Sequence, residues 1–101
     1  MGFEELANIL LKTAELVAQR RNDLIGISAL EVGKTFIETD AEVSEAIDFL
    51  RFYPHSMKKL LDTHKDCSFQ PKGVGVVITP WNFPVAISIG GIAASLATCN
   101  S

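Results

Sequence analysis

Residues 73–101, GVGVVITPWNFPVAISIGGIAASLATCNS, contain no Lys, Arg, Asp or Glu; the chain's nine basic and twelve acidic residues all lie between Glu4 and Lys72. A protein surface is normally dense in charge, so a stretch this long without any belongs either in a bilayer or inside a structure larger than itself. Length separates the two, because a spanning helix needs about 20 continuous apolar residues. Thr79-Pro80-Trp81-Asn82-Phe83-Pro84 interrupts the run, and Val85 to Cys99 is too short to span. We therefore expect no membrane span, and read residues 73–101 as part of the interior of a larger α/β protein.

The charged two-thirds of the chain excludes other classes. A net charge of −3 provides no basic footprint, so nucleic acid is not an expected partner. Two cysteines, Cys67 and Cys99, make no disulfide framework, and the opening MGFEELANILL is acidic where a signal peptide is basic. Both point to a cytoplasmic protein. His64 and Cys67 are too few ligands for a metal site, and none is expected.

Residues 1–62 read as a helical pair. Apolar residues recur at helical spacing through Leu6, Leu10, Ala14 and Val17 and on to Leu24, Ile27 and Leu30. This predicts one long helix that bends or breaks near Gly26 and stops at a left-handed Gly33. Glu31 and Lys34 then read as residues of a helix end. For the second helix, Thr39-Asp40-Ala41-Glu42 has the spacing of a capping box, followed by a stripe through Val43, Ile47, Leu50, Tyr53 and Met57, with a kink expected at Pro54.

Residues 63–72 are polar and irregular, a loop. Gly73 to Ile78 is continuously apolar, as in a parallel strand covered on both faces. Pro84 suits the first turn of the next helix, where Gly90-Gly91 permits close packing. Strand, tight corner and buried helix make half of a βαβ unit, whose partner strand is expected where the chain stops at Asn100-Ser101. The expected fold class is thus a truncated α/β piece, mostly helical, with one buried parallel-type strand.

The corner 79–84 lies beyond the carboxyl end of that strand, where open α/β sheets bind ligands. Asn82 has an amide to offer a ligand, or is the N-cap of the next helix; Trp81 is a flat wall for a ligand, or core. The residues alone leave both pairs open.

TPWNFP after an apolar strand, with a small-residue helix ending in Ala97-Thr98-Cys99-Asn100, resembles the aldehyde dehydrogenase superfamily. Leu30-Glu31-Val32-Gly33-Lys34-Thr35 is similar to a helix end of that family. Glu42-Val43-Ser44-Glu45-Ala46-Ile47-Asp48-Phe49-Leu50-Arg51-Phe52-Tyr53 and Val76-Val77-Ile78-Thr79-Pro80-Trp81-Asn82-Phe83-Pro84-Val85-Ala86-Ile87 resemble the glutamate-semialdehyde dehydrogenases, including those fused to proline dehydrogenase.

The resemblance implies oxidation of a small aldehyde by a cysteine thiolate, with hydride transfer to NAD or NADP and hydrolysis of the thioester, in an enzyme that is a homo-oligomer. It implies that Asn82 is the side-chain donor of the oxyanion hole, and that Thr79, Pro80 and Trp81 contact the cofactor. The nucleophilic cysteine and the general-base glutamate would lie, by family order, beyond Ser101, and neither Cys67 nor Cys99 matches the nucleophile's motif. The chain alone is expected to be inactive and to self-associate through residues 73–101. One departure stands out: Cys99 occupies a position where the family commonly has glycine. The rival expectations are a dehydrogenase of another small aldehyde and a non-enzymatic helical interaction module.

Overall fold

A computed structural model describes all of residues 1–101. It contains four helices: α1 (Phe3–Gln19), α2 (Arg21–Val32), α3 (Phe36–Thr63) and α4 (Ala86–Ala97). With 28 residues α3 is the longest, in a molecule that measures 48 × 25 × 20 Å. It packs against all three other helices. The core is the seam where they meet: Leu10 and Ala14 from α1, Val43, Ile47 and Leu50 from α3, Ala93 and Ala97 from α4. Burying a Val, Leu or Ile there stabilises the fold by about 1.5–3 kcal/mol per side chain.

The first helical run breaks at Arg20 (φ −100°, ψ 19°) and passes straight through Gly26. Tertiary contacts account for the shift. Arg21 reaches α3, donating from Nε to Asp40 Oδ1 at 2.7 Å and from Nη2 to the Asp40 carbonyl at 2.9 Å and Ser44 Oγ at 2.6 Å. These bonds draw the start of α2 onto α3, whereas Gly26 sits in open space. Gly33 ends α2 in the left-handed region, φ 70°, as expected.

The capping box of α3 is also displaced from its expected position. Thr35, not Thr39, is the N-cap: its Oγ1 accepts the Glu38 N–H at 3.3 Å, and the Glu38 carboxylate accepts the Thr35 N–H at 2.9 Å. Two Thr-x-x-Glu words stand one turn apart, at 35–38 and 39–42, and the upstream one caps. Thr39 is fully buried inside the helix, bonded to the Thr35 and Phe36 carbonyls. Pro54 lies within α3, which continues beyond it to Thr63.

The expected buried strand at 73–78 is not formed, and no residue of the chain is in a strand. Val74, Val76 and Ile78 are 81–91% exposed. The reason is want of partners, since a strand needs neighbours to take up its backbone groups. What exists is a single rung: Gly75 N–H donates to the Ser101 carbonyl at 2.6 Å and Ser101 N–H to the Gly73 carbonyl at 3.0 Å, the slanted pattern of parallel pairing.

The alternate residues of this segment nevertheless rest on α4. A Cβ added to Gly91 would meet Val77 Cγ1 at 2.6 Å, and one added to Gly75 would meet Ser95 Oγ at 3.1 Å. On the opposite side, a Cβ on Gly90 would meet the Phe49 ring of α3 at 3.0 Å. The Gly90-Gly91 pair therefore allows close approach on two faces. At its other end α4 closes with bonds from Asn100 N–H to the Ser95 carbonyl and Cys99 N–H to the Leu96 carbonyl, the two bonds of a Schellman motif. Cys99 adopts the left-handed conformation, φ 61°, that its side chain disfavours.

Candidate active-site corner

Residues 81–85 turn between the extended segment and α4, which begins at Ala86; Pro84 thus precedes the helix rather than opening it. The N-cap position belongs to Val85, and no side chain of that residue caps the helix. The exposed amides are taken up from another element. Glu42, on α3, accepts the Val85 N–H at 2.8 Å and the Ala86 N–H at 3.2 Å on Oε1. Its second oxygen, Oε2, accepts Lys34 Nζ at 2.6 Å.

Lys34 follows directly on the Gly33 stop of α2, and its ammonium reaches further than Glu42. It donates to the Asn82 carbonyl at 3.1 Å and stands 3.9 Å above the Phe83 ring centre. The C-terminus of α2, the first third of α3 and the start of α4 are joined at one ion pair. A separate bond, 3.0 Å between the hydroxyls of Thr79 and Ser88, ties the corner's near side to the first turns of α4.

This ion pair is interior. The side chain of Glu42 is 1% exposed and that of Lys34 14%. Burial pushes the Glu42 carboxyl up, but the Lys34 ammonium and the two amide donors outweigh it and hold the group below its ordinary value of 4.5. A carboxylate facing the positive end of α4 gains from the helix dipole as well. Neither residue has a polar atom left buried without a partner.

The residues expected at a site are brought together and face outward. Pro80 and Asn82 are exposed, Trp81 is 76% exposed, and Thr79 is half-buried. Trp81 is therefore not core in this chain, and Asn82 does not cap α4. Glu42 does the work that the cap alternative assigned to Asn82. Lys34 and Glu42 were legible only as helix-end residues; the one signal of more was the duplicated Thr-x-x-Glu, which leaves one Glu free of capping.

Comparison with known proteins identifies the family to which this fold and corner belong. The chain belongs to the aldehyde dehydrogenase family, whose model matches residues 1–101. It is 39% identical over 107 aligned residues to the 1-pyrroline-5-carboxylate dehydrogenases of Bacillus thuringiensis (strain Al Hakam) and Bacillus cereus (strain B4264), covering 97% of this chain and 21% of theirs. Among solved structures, Proline Utilization A from Corynebacterium freiburgense matches with a TM-score of 0.90 and 40% identity, over 100% of this chain and 10% of that one. A 1-pyrroline-5-carboxylate dehydrogenase from Thermus, with bound NAD, matches with a TM-score of 0.87 and 35% identity, over 100% and 22%. The chain thus spans about a fifth of the length of the curated relatives it matches.

Proposed function

We propose that this chain is a segment of an NAD(P)-dependent dehydrogenase that oxidises glutamate 5-semialdehyde to glutamate in proline catabolism. Residues 73–101 would contribute the first strand, corner and helix of its cofactor domain. The likeness to 1-pyrroline-5-carboxylate dehydrogenases and to Proline Utilization A supports the substrate, and one structural observation carries the site. The Asn82 amide is exposed and is not spent on capping α4, because Glu42 takes the α4 amides instead.

In the proposed reaction a thiolate from elsewhere in the enzyme adds to the aldehyde carbon, and the carbonyl oxygen takes up the negative charge. The Asn82 Nδ2–H donates to that oxygen. An amide suits the task because it stabilises the charge without surrendering a proton, so the oxyanion survives to expel hydride and collapse to the thioester that water then hydrolyses. The nicotinamide cofactor, when bound, accepts the hydride.

Thr79, Pro80 and Trp81 fit such a cofactor by their chemistry. Trp81 presents an indole face for a flat heteroaromatic ring, Pro80 adds apolar surface beside it, and the Thr79 hydroxyl retains capacity beyond its bond to Ser88. The enzyme is placed in the cytoplasm, in keeping with the free state of Cys67 and Cys99. It acts as a homo-oligomer, and the 101-residue chain alone turns over no substrate.

The test is NAD(P)H production by the full-length dehydrogenase with glutamate semialdehyde and a panel of other small aldehydes. Asn82→Ala is expected to lower kcat by about 10²–10³ with cofactor affinity retained. Turnover unchanged by that substitution would return Asn82 to a structural role, and preference for another aldehyde would reassign the substrate.

A further inference from the structure

Around Asn82 few bonds hold the chain. Residues 81–85 form no helix or strand, and the segment before them is tied only by the Thr79–Ser88 hydroxyl bond to α4 and by one rung of pairing farther away at Gly73–Gly75. The corner is held from α3. Glu42 grips the amides of Val85 and Ala86, and Lys34, fixed by Glu42, grips the carbonyl of Asn82 itself. Both side chains lie behind the corner, while Asn82 faces out.

We infer that Glu42, aligned by Lys34, is a positioning residue for the oxyanion donor: together they set where the Asn82 backbone sits and hence where its amide points. This inference rests on the role proposed for Asn82 above. An asparagine amide is separated from its backbone by two rotatable bonds, so its reach follows the backbone closely. Oxyanion donors act only at about 2.7–3.1 Å from the developing charge, and a misplacement of about 1 Å can cost about a hundredfold in rate. The chemistry of the pair matches the task. A carboxylate accepts two adjacent amides at a positive helix end with one oxygen and a lysine with the other, a combination that a neutral amide side chain cannot reproduce.

The experiment is a double-substitution cycle in the full-length dehydrogenase, with Glu42→Gln, Asn82→Ala and the pair. Glu42→Gln keeps the shape but removes the ion pair. It is expected to lower kcat by about ten- to a hundredfold, with KM for the aldehyde and Kd for NAD changed by less than about twofold. On the Asn82→Ala background it should cost less than about a further twofold, because the donor it positions is already gone. Lys34→Arg should retain more activity than Lys34→Met. If Glu42→Gln does not accumulate as folded enzyme, Lys34→Met goes through the same cycle and is judged by the same outcomes.

Full activity in the positioning variant, or losses that multiply with that of Asn82→Ala, would overturn the inference. A costly Asn82→Ala beside a harmless Glu42→Gln defeats the positioning role alone. A harmless Asn82→Ala defeats the role of Asn82, and the positioning role with it.

Discussion

Cys99 shows how far a local preference can be overridden. Its N–H and that of Asn100 complete the Schellman bonds of α4, and the Asn100 carboxamide oxygen accepts the N–H groups of Lys72 at 2.6 Å and Gly73 at 2.9 Å. Those bonds hold Cys99 at φ 61° although a side chain disfavours that region by about 1–2 kcal/mol. Cys99→Gly removes the strain but gains unfolded-state entropy, so the net stabilisation expected is about 0.5–1 kcal/mol. Chemical denaturation of wild type, Cys99→Gly and Cys99→Ala measures it, and the alanine variant should stay close to wild type. The family's habitual glycine pointed to this position, and the sequence alone left open whether a cysteine there would accept the same backbone. It does, because the bonds of Lys72, Gly73 and Asn100 come from outside the helix.

Among the elements, the joint of α2, α3 and α4 at Glu42 sets a pH dependence. The folded Glu42 carboxyl lies below its ordinary 4.5, where burial, which raises it, is outweighed by Lys34 and the Val85 and Ala86 amides. A group depressed on folding contributes stability that is present above its unfolded value and is lost as pH falls through the folded one. Stability of the wild-type chain should therefore decline from about pH 4.5 downward. The Glu42→Gln chain should start less stable at pH 7 and show a shallower decline over that window, read from urea midpoints between pH 7 and pH 3. Equal slopes would mean that the joint is not the group being titrated. The apolar stripes of α1 and α3 were legible in the sequence because periodicity depends on neighbours along the chain, and α4 was legible as a small-residue apolar helix. The break at Arg20 and the cap at Thr35 were not, because Arg21 binding to Asp40 and Glu42 binding to α4 are contacts between distant residues.

At the scale of the whole molecule, the charge-free third is only half covered. Ala86, Gly90, Ala93 and Ala97 are buried in the helix bundle, whereas Val74, Val76, Ile78 and Trp81 present a broad apolar face. Patches of this kind drive association when nothing covers them. We propose that the isolated chain self-associates through this face. Light scattering should find oligomers whose mass falls when Val76 and Ile78 are changed to Lys, and an unchanged mass would place the contact elsewhere. The same substitutions should leave the helical circular dichroism intact, since neither side chain enters the core.

The sequence by itself determined that residues 73–101 carry no charge, that a tight corner separates an apolar run from a small-residue helix, and that the corner carries the family's residues. Those conclusions rest on composition, spacing and the fixed geometry of proline, which are properties of the chain. Only the tertiary structure decided that Gly73 to Ile78 forms no strand and pairs only through Gly73 and Gly75 with Ser101, because sheet formation requires partners that no local pattern can supply. It also decided that Glu42 and Lys34, bonded to Val85 and Asn82 across 43 and 48 residues of sequence, are the main hold on it. A buried ion pair gains its strength from removal of water, and which charges lose their water is settled only when the helices pack.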